Sequence, residues 1–560
     1  MILDTRERIG KYEQMGVWGK GTLLDKLDEV VEECPEREAF VDPPNRKDLT
    51  GHYPERITYK ALKATVNSVA SGLIEAGIEK DDIVIVQLPN TWELPMLYYA
   101  ICKAGGIISP MPIQHRRKEL DDVLRLTEAK AFITIAEFNK FSHLKMGEKA
   151  KFHFSCLKQV FSLEEIRNMA NRRVKGDFEG VKVSPADVWT LQWSSGTEAE
   201  PKACPRTHNS WYDRSVAKML YQLEEGWRHL ASAQIVNNTG IGTGVVLPLV
   251  TKGTTILHHP FDLAVWMKQV EEERADVALL VPAMMNMILK NSKSDELVLD
   301  TLKRIGTGSA PPSIWALEEL KTRFGIDVIN IWGQNEGPGI YSGPLTTPIE
   351  KRMQFPQFGK KGVDWGIDNP FFKAVETKIL NPDTGEELSE VGEVGELLWR
   401  GPWEIPCYYK KPELTARAFE EDGFLHTGDL FKIEENNFIT YFGRRKDIII
   451  RGGQKISAQE VENLVLKHPA VREAAAVPMP DPVLGEKTCV YVVMKSRGGV
   501  TLNDITALFE GEGVAKYKWP ERLEIIDEIP KNPLGKSIKA GLKNDIKKKL
   551  KNEGEIKEGN

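Results

Sequence analysis

The segment Trp193-Ser194-Ser195-Gly196-Thr197-Glu198-Ala199-Glu200-Pro201-Lys202 gathers small hydroxyl residues around a glycine, with a lysine five positions after Thr197. Backbone N–H groups and hydroxyls in such a loop can wrap a polyphosphate, and Lys202 adds a point charge. No Gly-Lys-Ser/Thr follows, so this is not a Walker A loop. Taken alone, the segment reads equally well as a surface turn. Two other clusters suggest chemistry and fail on spacing. Gly240-x-Gly242-x-Gly244, with Asp262 about 20 residues on, imitates a dinucleotide fingerprint. The glycine spacing is wrong for it, and Pro248 with the Thr251-Lys252-Gly253 turn is expected to interrupt the helix it needs. His258-His259 lacks the further Cys, His or acidic partners of a metal centre and reads as structural.

The flanking chain supplies elements able to hold a site. Leu23, Leu27, Val30, Val31 and Cys34 form one helical face after Thr22, and Leu62, Val66, Val69 and Leu73 form another after Thr58. Apolar runs at 83–86 and 132–135 alternate with these helices, and the rhythm returns at 277–331. Strands spaced by helices imply an α/β fold with mostly parallel sheets covered on both faces. Between about 370 and 440, short alternating strands and turns such as Asn381-Pro382-Asp383-Thr384-Gly385 indicate a β-rich subdomain. After Asp447 a compact α+β unit is expected, opened by a capping box at Ser457-Ala458-Gln459-Glu460. The lysine-rich end containing Lys547-Lys548-Lys549 reads as a solvated, frayed helix.

The 560 residues allow more than one domain, and 28% charged with 41% hydrophobic residues is an ordinary globular composition. The formal charge is −6, from 75 basic and 81 acidic side chains, which argues against a dedicated nucleic-acid binder. No apolar run approaches the roughly 18 residues of a membrane span. The polar start MILDTRERIG does not read as a signal peptide, and the six cysteines are scattered without a CxxC pair. Together these imply reduced thiols and a cytoplasmic protein.

The 193–202 segment resembles the signature loop of the acyl-adenylate-forming superfamily, which covers acyl-CoA synthetases, aryl-acid–AMP ligases and peptide-synthetase adenylation domains. Four further motifs of that superfamily are matched in order: Trp332-Gly333-Gln334-Asn335-Glu336, His426-Thr427-Gly428-Asp429, Gly443-Arg444-Arg445-Lys446-Asp447, and Pro530-Lys531-Asn532-Pro533-Leu534-Gly535-Lys536. The likeness runs from about residue 20 to residue 545. It implies ATP, Mg²⁺ and coenzyme A as cofactors, a small-molecule carboxylic acid as substrate, and a monomer or homodimer. It also implies a large domain over 1–443, a hinge at 444–447 centred on Lys446, and a small mobile domain over 448–560.

Carried over position by position, the resemblance assigns Ser195, Gly196, Thr197 and Lys202 to the β,γ-phosphates and Trp332 to the adenine. Asn335 falls at a nucleotide-binding position, Glu336 becomes the Mg²⁺ ligand, and Asp429 takes the ribose hydroxyls. Arg444 goes to the ribose or phosphate side. Lys536 is the principal catalytic residue, bridging the attacking carboxylate and the α-phosphate. Gly452 and Gly453 would line a pantetheine channel after domain rotation. Asn237, Asn238, Gly308 and Gly333 fall at the acyl pocket, where Asn238 either meets a ring substituent or caps a helix.

Departures from the superfamily pattern are Glu198, Ala199 and Ala203 in the loop and Asn335 in place of threonine. An acid beside a polyphosphate would cost on the order of 4 kcal/mol at close contact with an effective dielectric of 20, so Glu198 is expected to face solvent. The stretch 401–479 is especially similar to the dihydroxybenzoate–AMP ligase branch. The resulting expectation is a carboxylate–CoA ligase for a compact aromatic or alicyclic acid. Its rivals are an aryl-acid–AMP ligase that serves a carrier protein and a non-catalytic nucleotide sensor.

Overall fold

A computed structural model describes the chain except residues 173–177, 195–201, 213–214, 292–298, 309–310, 453, 496–498, 532–536 and 554–560. It divides into two compact units, one of Met1–Thr377 with Trp399–Leu425, the other of Lys378–Leu398 with His426–Asn560.

The first unit holds two large sheets with parallel interiors. In the six-stranded sheet the order is 159–162, 131–134, 83–87, 107–110, 188–194 and 202–207. Its strand Ile83–Gln87 is buried at every position, which explains the unbroken apolar run. In the eight-stranded sheet the order is 339–342, 327–333, 304–308, 277–279, 228–231, 254–257, 38–41 and 56–58. The sheets are covered by helices whose apolar faces follow the sequence periodicity. Tyr59–Glu75 is capped by the Thr58 side chain and buries Leu62, Val66, Val69 and Leu73. Thr22 and Asp25 form a reciprocal capping box on Leu23–Glu33. The α/β reading therefore holds.

One expected break does not occur. The chain is helical from Asn238 to Val250 and passes through a π-helical turn at Gly242–Val246. Pro248 comes directly after this π-helical turn, at the start of the closing segment Leu247–Val250, so its missing N–H falls where the regular α-helical ladder has already been interrupted. Gly240 and Gly244 serve packing: a Cβ at Gly240 would lie 1.9 Å from the Gln234 carbonyl oxygen, and one at Gly244 2.9 Å from Ile235. His258 is a core histidine, with Nδ1 2.6 Å from Gln269 and Nε2 accepting from the Asp262 amide.

In the second unit, strands Leu425–Ile433 and Phe438–Arg444 pair antiparallel, with Asp429 opposite Arg444. A separate sheet orders 454–457, 448–451, 485–494 and 471–481, with 522–525 parallel to 485–494. Ser457 caps Ala458–Val465 as expected, but Glu460 does not complete a capping box. Its carboxylate takes Lys518 at 2.7 Å instead, a charged partner that outcompetes the neutral backbone donor.

Candidate active site

In the first unit, a hairpin sets the phosphate-loop boundary. Strands Val188–Ser194 and Lys202–Thr207 are antiparallel neighbours, with Ser194 opposite Lys202. Ser195, Gly196, Thr197 and Glu198 lie outside the described residues. Lys202 begins the second strand, its Nζ 5.6 Å from the centre of the Tyr408 ring. Ala203 is fully buried, and its carbonyl accepts from the Tyr409 amide at 3.0 Å.

The Trp332–Glu336 motif ends the strand Asp327–Gly333 of the eight-stranded sheet. Trp332 is 8% exposed and pairs with Ile340; Gly333 pairs with Gly339. Gly308 ends the adjacent strand opposite Ile331, where a Cβ would stand 2.8 Å from the Ile331 carbonyl oxygen. These strand ends are where α/β sheets place ligands. Glu336 accepts from the Tyr408 hydroxyl at 2.9 Å, and its own carbonyl accepts from Ile405 N–H at 2.7 Å. Its charge also reaches Cys204, whose thiol is pushed up first by burial and then by Glu336.

Asn335 and Asn238 tie three segments together. Asn335 donates through Nδ2 to the Trp193 carbonyl at 2.8 Å, and its Oδ1 accepts from the Asn238 amide at 3.0 Å. Asn238 is buried; it donates to the Gln334 carbonyl at 2.8 Å and accepts from Arg206 at 3.2 Å. The helix cap falls to Asn237, whose Oδ1 accepts from the Gly240 amide at 2.8 Å. Arg206, fully buried, also donates to the Ser210 hydroxyl and carbonyl. The 188–207 hairpin, the segment that begins at Asn237 and the Trp332–Glu336 motif are thus linked by side-chain amides.

The second unit carries a different cluster. Asp429 is 1% exposed and pairs with Arg444 Nε at 2.7 Å, a contact that the cross-strand register imposes. Gly428, at φ +69°, precedes it within the strand Leu425–Ile433 and donates to Glu396 at 2.9 Å. Glu396 also takes His426 and Arg445, each within 3.4 Å. Burial pushes the Tyr441 hydroxyl well up, and the Asp429 charge adds to it. Lys446 lies in a short 3₁₀ turn; its carbonyl accepts from Lys543 at 2.7 Å, and Lys543 also pairs with Asp447 at 3.0 Å. Gly452, at φ +54°, donates to the Leu484 carbonyl at 2.8 Å. Gly453 and Lys536 lie outside the described residues. The flanks of Lys536 are braced: Lys531 bridges to Ser537, Ile538 N–H donates to the Pro530 carbonyl, and Lys539 pairs with buried Glu462 at 2.6 Å.

Tyr408 and Arg206 belong to none of the sequence motifs. The Tyr408-Tyr409 pair after Gly401-Pro402 was the signal for the first. Arg206 stood on the strand that follows the phosphate loop.

Among the described residues, no group of three His, Cys, Asp or Glu side chains can hold a metal. A half-buried Glu336 bonded to a neutral hydroxyl still offers hard oxygen donors, which suits Mg²⁺, an ion that takes one or two carboxylates and completes its shell with phosphates and water. No helix among the described residues is long and apolar enough to cross a membrane.

The family model of the AMP-binding enzymes matches residues 27–409, and that of the AMP-binding enzyme C-terminal domain matches 460–536. The chain is 30% identical to the 2,3-dihydroxybenzoate-AMP ligase of Bacillus subtilis, over 96% of both chains. It is 27% identical to the medium-chain fatty-acid–CoA ligase of Escherichia coli, covering 97% of this chain and 94% of the relative. The ATP-bound structure of MatB from Rhodopseudomonas palustris shares the fold, with a TM-score of 0.79 at 22% identity over 94% of this chain and 99% of that one. The chain therefore belongs to the AMP-binding enzyme family and is an adenylate-forming acid ligase that works through an acyl-AMP.

Proposed function

We propose that this enzyme is a cytoplasmic carboxylate–CoA ligase that activates a compact aromatic or alicyclic acid. In the first half-reaction a carboxylate oxygen attacks the α-phosphorus of ATP, and the bond to the bridging oxygen breaks to release pyrophosphate. In the second, a thiol attacks the acyl carbon and AMP leaves with the electron pair of the broken bond. Neither step needs a side-chain nucleophile; both need charge neutralisation and in-line placement. Lys202, with Ser195, Gly196 and Thr197, holds the leaving phosphates. Trp332 stacks on the adenine and Asp429 takes the ribose hydroxyls, for which a carboxylate's paired acceptors suit. Arg444 steadies the ribose or phosphate side, and Lys536 screens the two anions that must approach. Glu336 would hold Mg²⁺, which supplies charge neutralisation at the phosphate oxygens.

The observation carrying the compact-acid reading is Tyr221. It is 2% exposed, and its hydroxyl lies 2.6 Å from where a Cβ of Gly306 would stand. A bulky phenol beside that glycine, on the strand that ends at Gly308, supports a short acyl chamber. With the Asn238 amide engaged by Arg206 and Gln334, we assign Asn238 to positioning that wall, with Asn237, Gly308 and Gly333 nearer the acid. Small-domain rotation about Lys446 would exchange Lys536 for Gly452 and Gly453 between the half-reactions.

The acceptor is the finer question, because the named relatives include a CoA ligase and an AMP ligase. AMP release should be assayed with benzoates, naphthoates, cyclohexane carboxylates and medium-chain acids, with and without CoA. The expected result is CoA-dependent turnover on ring acids with no carrier protein present. Slow release unaffected by CoA would replace this reading with an AMP ligase serving a carrier. Preference for medium-chain acids would overturn the compact chamber.

A further inference from the structure

We infer that Tyr408 is the positioning residue that holds the two charges of the phosphate side ready for use. The inference rests on the reading of Lys202 as a phosphate-binding group and Glu336 as the metal ligand. One side chain touches both: its hydroxyl donates to Glu336 Oε1 at 2.9 Å, and its ring takes the Lys202 ammonium 5.6 Å from the centroid. Tyr408 is 6% exposed, and its backbone is fixed. Its N–H donates to the Thr415 hydroxyl at 3.0 Å, and its carbonyl accepts from Lys411 at 3.1 Å.

The surrounding segment is strapped to the same two elements. Tyr409 N–H bonds Ala203, the residue after Lys202, and Ile405 N–H bonds the Glu336 carbonyl. Gly337, at φ +121°, lies against this strap; a Cβ there would stand 2.0 Å from the Trp403 carbonyl oxygen. Arg8, from the helix Arg6–Gln14, donates to the carbonyls of Gly401 and Glu404 and so ties this segment down as well.

The chemistry explains why the partner is a phenol. A neutral O–H sets the plane of a carboxylate and occupies one lone pair, leaving the rest for a hard cation. A lysine or arginine there would form an ion pair that Mg²⁺ had to break. The ring face attracts the ammonium through its quadrupole. Tyrosine combines both neutral contacts in one side chain.

The test uses the full-length enzyme with α,β-methylene-ATP, which cannot release pyrophosphate, and Mn²⁺ as a paramagnetic probe. Mn²⁺ affinity is read by electron paramagnetic resonance, and analogue affinity without metal is read by calorimetry. Tyr408→Phe keeps the ring and loses the hydroxyl. It should weaken Mn²⁺ about tenfold while metal-free analogue affinity stays within twofold. Tyr408→Leu should weaken metal-free analogue binding at least fivefold as well. Unchanged Mn²⁺ affinity in Tyr408→Phe, with Glu336→Gln losing it, overturns the role of Tyr408 and leaves that of Glu336 standing. Unchanged Mn²⁺ affinity in Glu336→Gln itself overturns the reading on which the inference rests. A parallel loss of both affinities in Tyr408→Phe, together with a lower melting temperature, shows a merely structural residue.

Discussion

The two charged centres of this molecule are built on opposite plans. In the first unit, Glu336 accepts from the Tyr408 hydroxyl and Lys202 lies over the Tyr408 ring, so Tyr408 brings no opposite charge to either. In the second, Asp429 is buried against Arg444 at 2.7 Å, and Glu396 is surrounded by His426, Gly428 and Arg445. On the proposed roles, the difference matches what each would bind. A group meant for a metal or a polyphosphate gains most if no ion pair must first be broken. On the same roles, a carboxylate that takes neutral ribose hydroxyls meets no such incoming charge and can stay paired with its arginine.

The largest effect should come from setting Asp429→Asn against Glu336→Gln. Removing the Asp429 charge leaves Arg444 beside a buried amide, and charged hydrogen bonds are worth about 1.5–3 kcal/mol each. We expect Asp429→Asn to lower kcat/KM for ATP about 100-fold in ATP–pyrophosphate exchange and also to lower the melting temperature. Glu336→Gln keeps an oxygen that accepts from Tyr408, so its melting temperature should stay within about a degree while the exchange rate collapses. Equal losses of melting temperature in the two variants would erase the distinction.

Much of this was legible in the sequence because it is local. Thr22 and Thr58 cap their helices within three residues, and the apolar run 83–86 is a buried strand as its composition requires. The five motifs likewise carry their own spacing. What stayed hidden depends on contacts across the fold. Tyr408 lies 72 residues from Glu336 and looks like any aromatic in a lysine-rich turn. Glu460 has the spacing of a capping box, and only the fold brings Lys518, 58 residues on, close enough to claim it. Pro248 looks like a helix breaker until the π-helical turn before it is seen.

An intermediate effect should come from the neutral amide links of the first unit. Both polar atoms of the Asn335 side chain are committed to Trp193 and the Asn238 amide. Asn335→Ala removes two neutral hydrogen bonds, each worth about 1 kcal/mol net. Because those bonds join the phosphate hairpin to the acyl-side segment, we expect KM for the acid and KM for ATP to rise together, each about fivefold. A rise in only one, measured by steady-state titration of each substrate, would show that the links do not couple the two sites.

The smallest effect concerns pH and belongs to the second unit. Burial by itself would raise the carboxyl of Glu396; the His426 contact, the Gly428 N–H and the Arg445 charge outweigh it and leave the group below its ordinary value of 4.5. A depressed folded-state value means that the folded form binds fewer protons than the unfolded form as acid is added. The stabilisation is therefore complete above about pH 4.5 and is lost as pH falls through the lower folded value. Glu396→Gln should melt a few degrees below the parent at pH 7, and that gap should narrow steadily below pH 4.5. A gap for Glu396→Gln that stayed constant from pH 7 to pH 3.5 would mean that its ionised partners contribute nothing beyond what an amide supplies, and the contrast between the two centres would reduce to geometry.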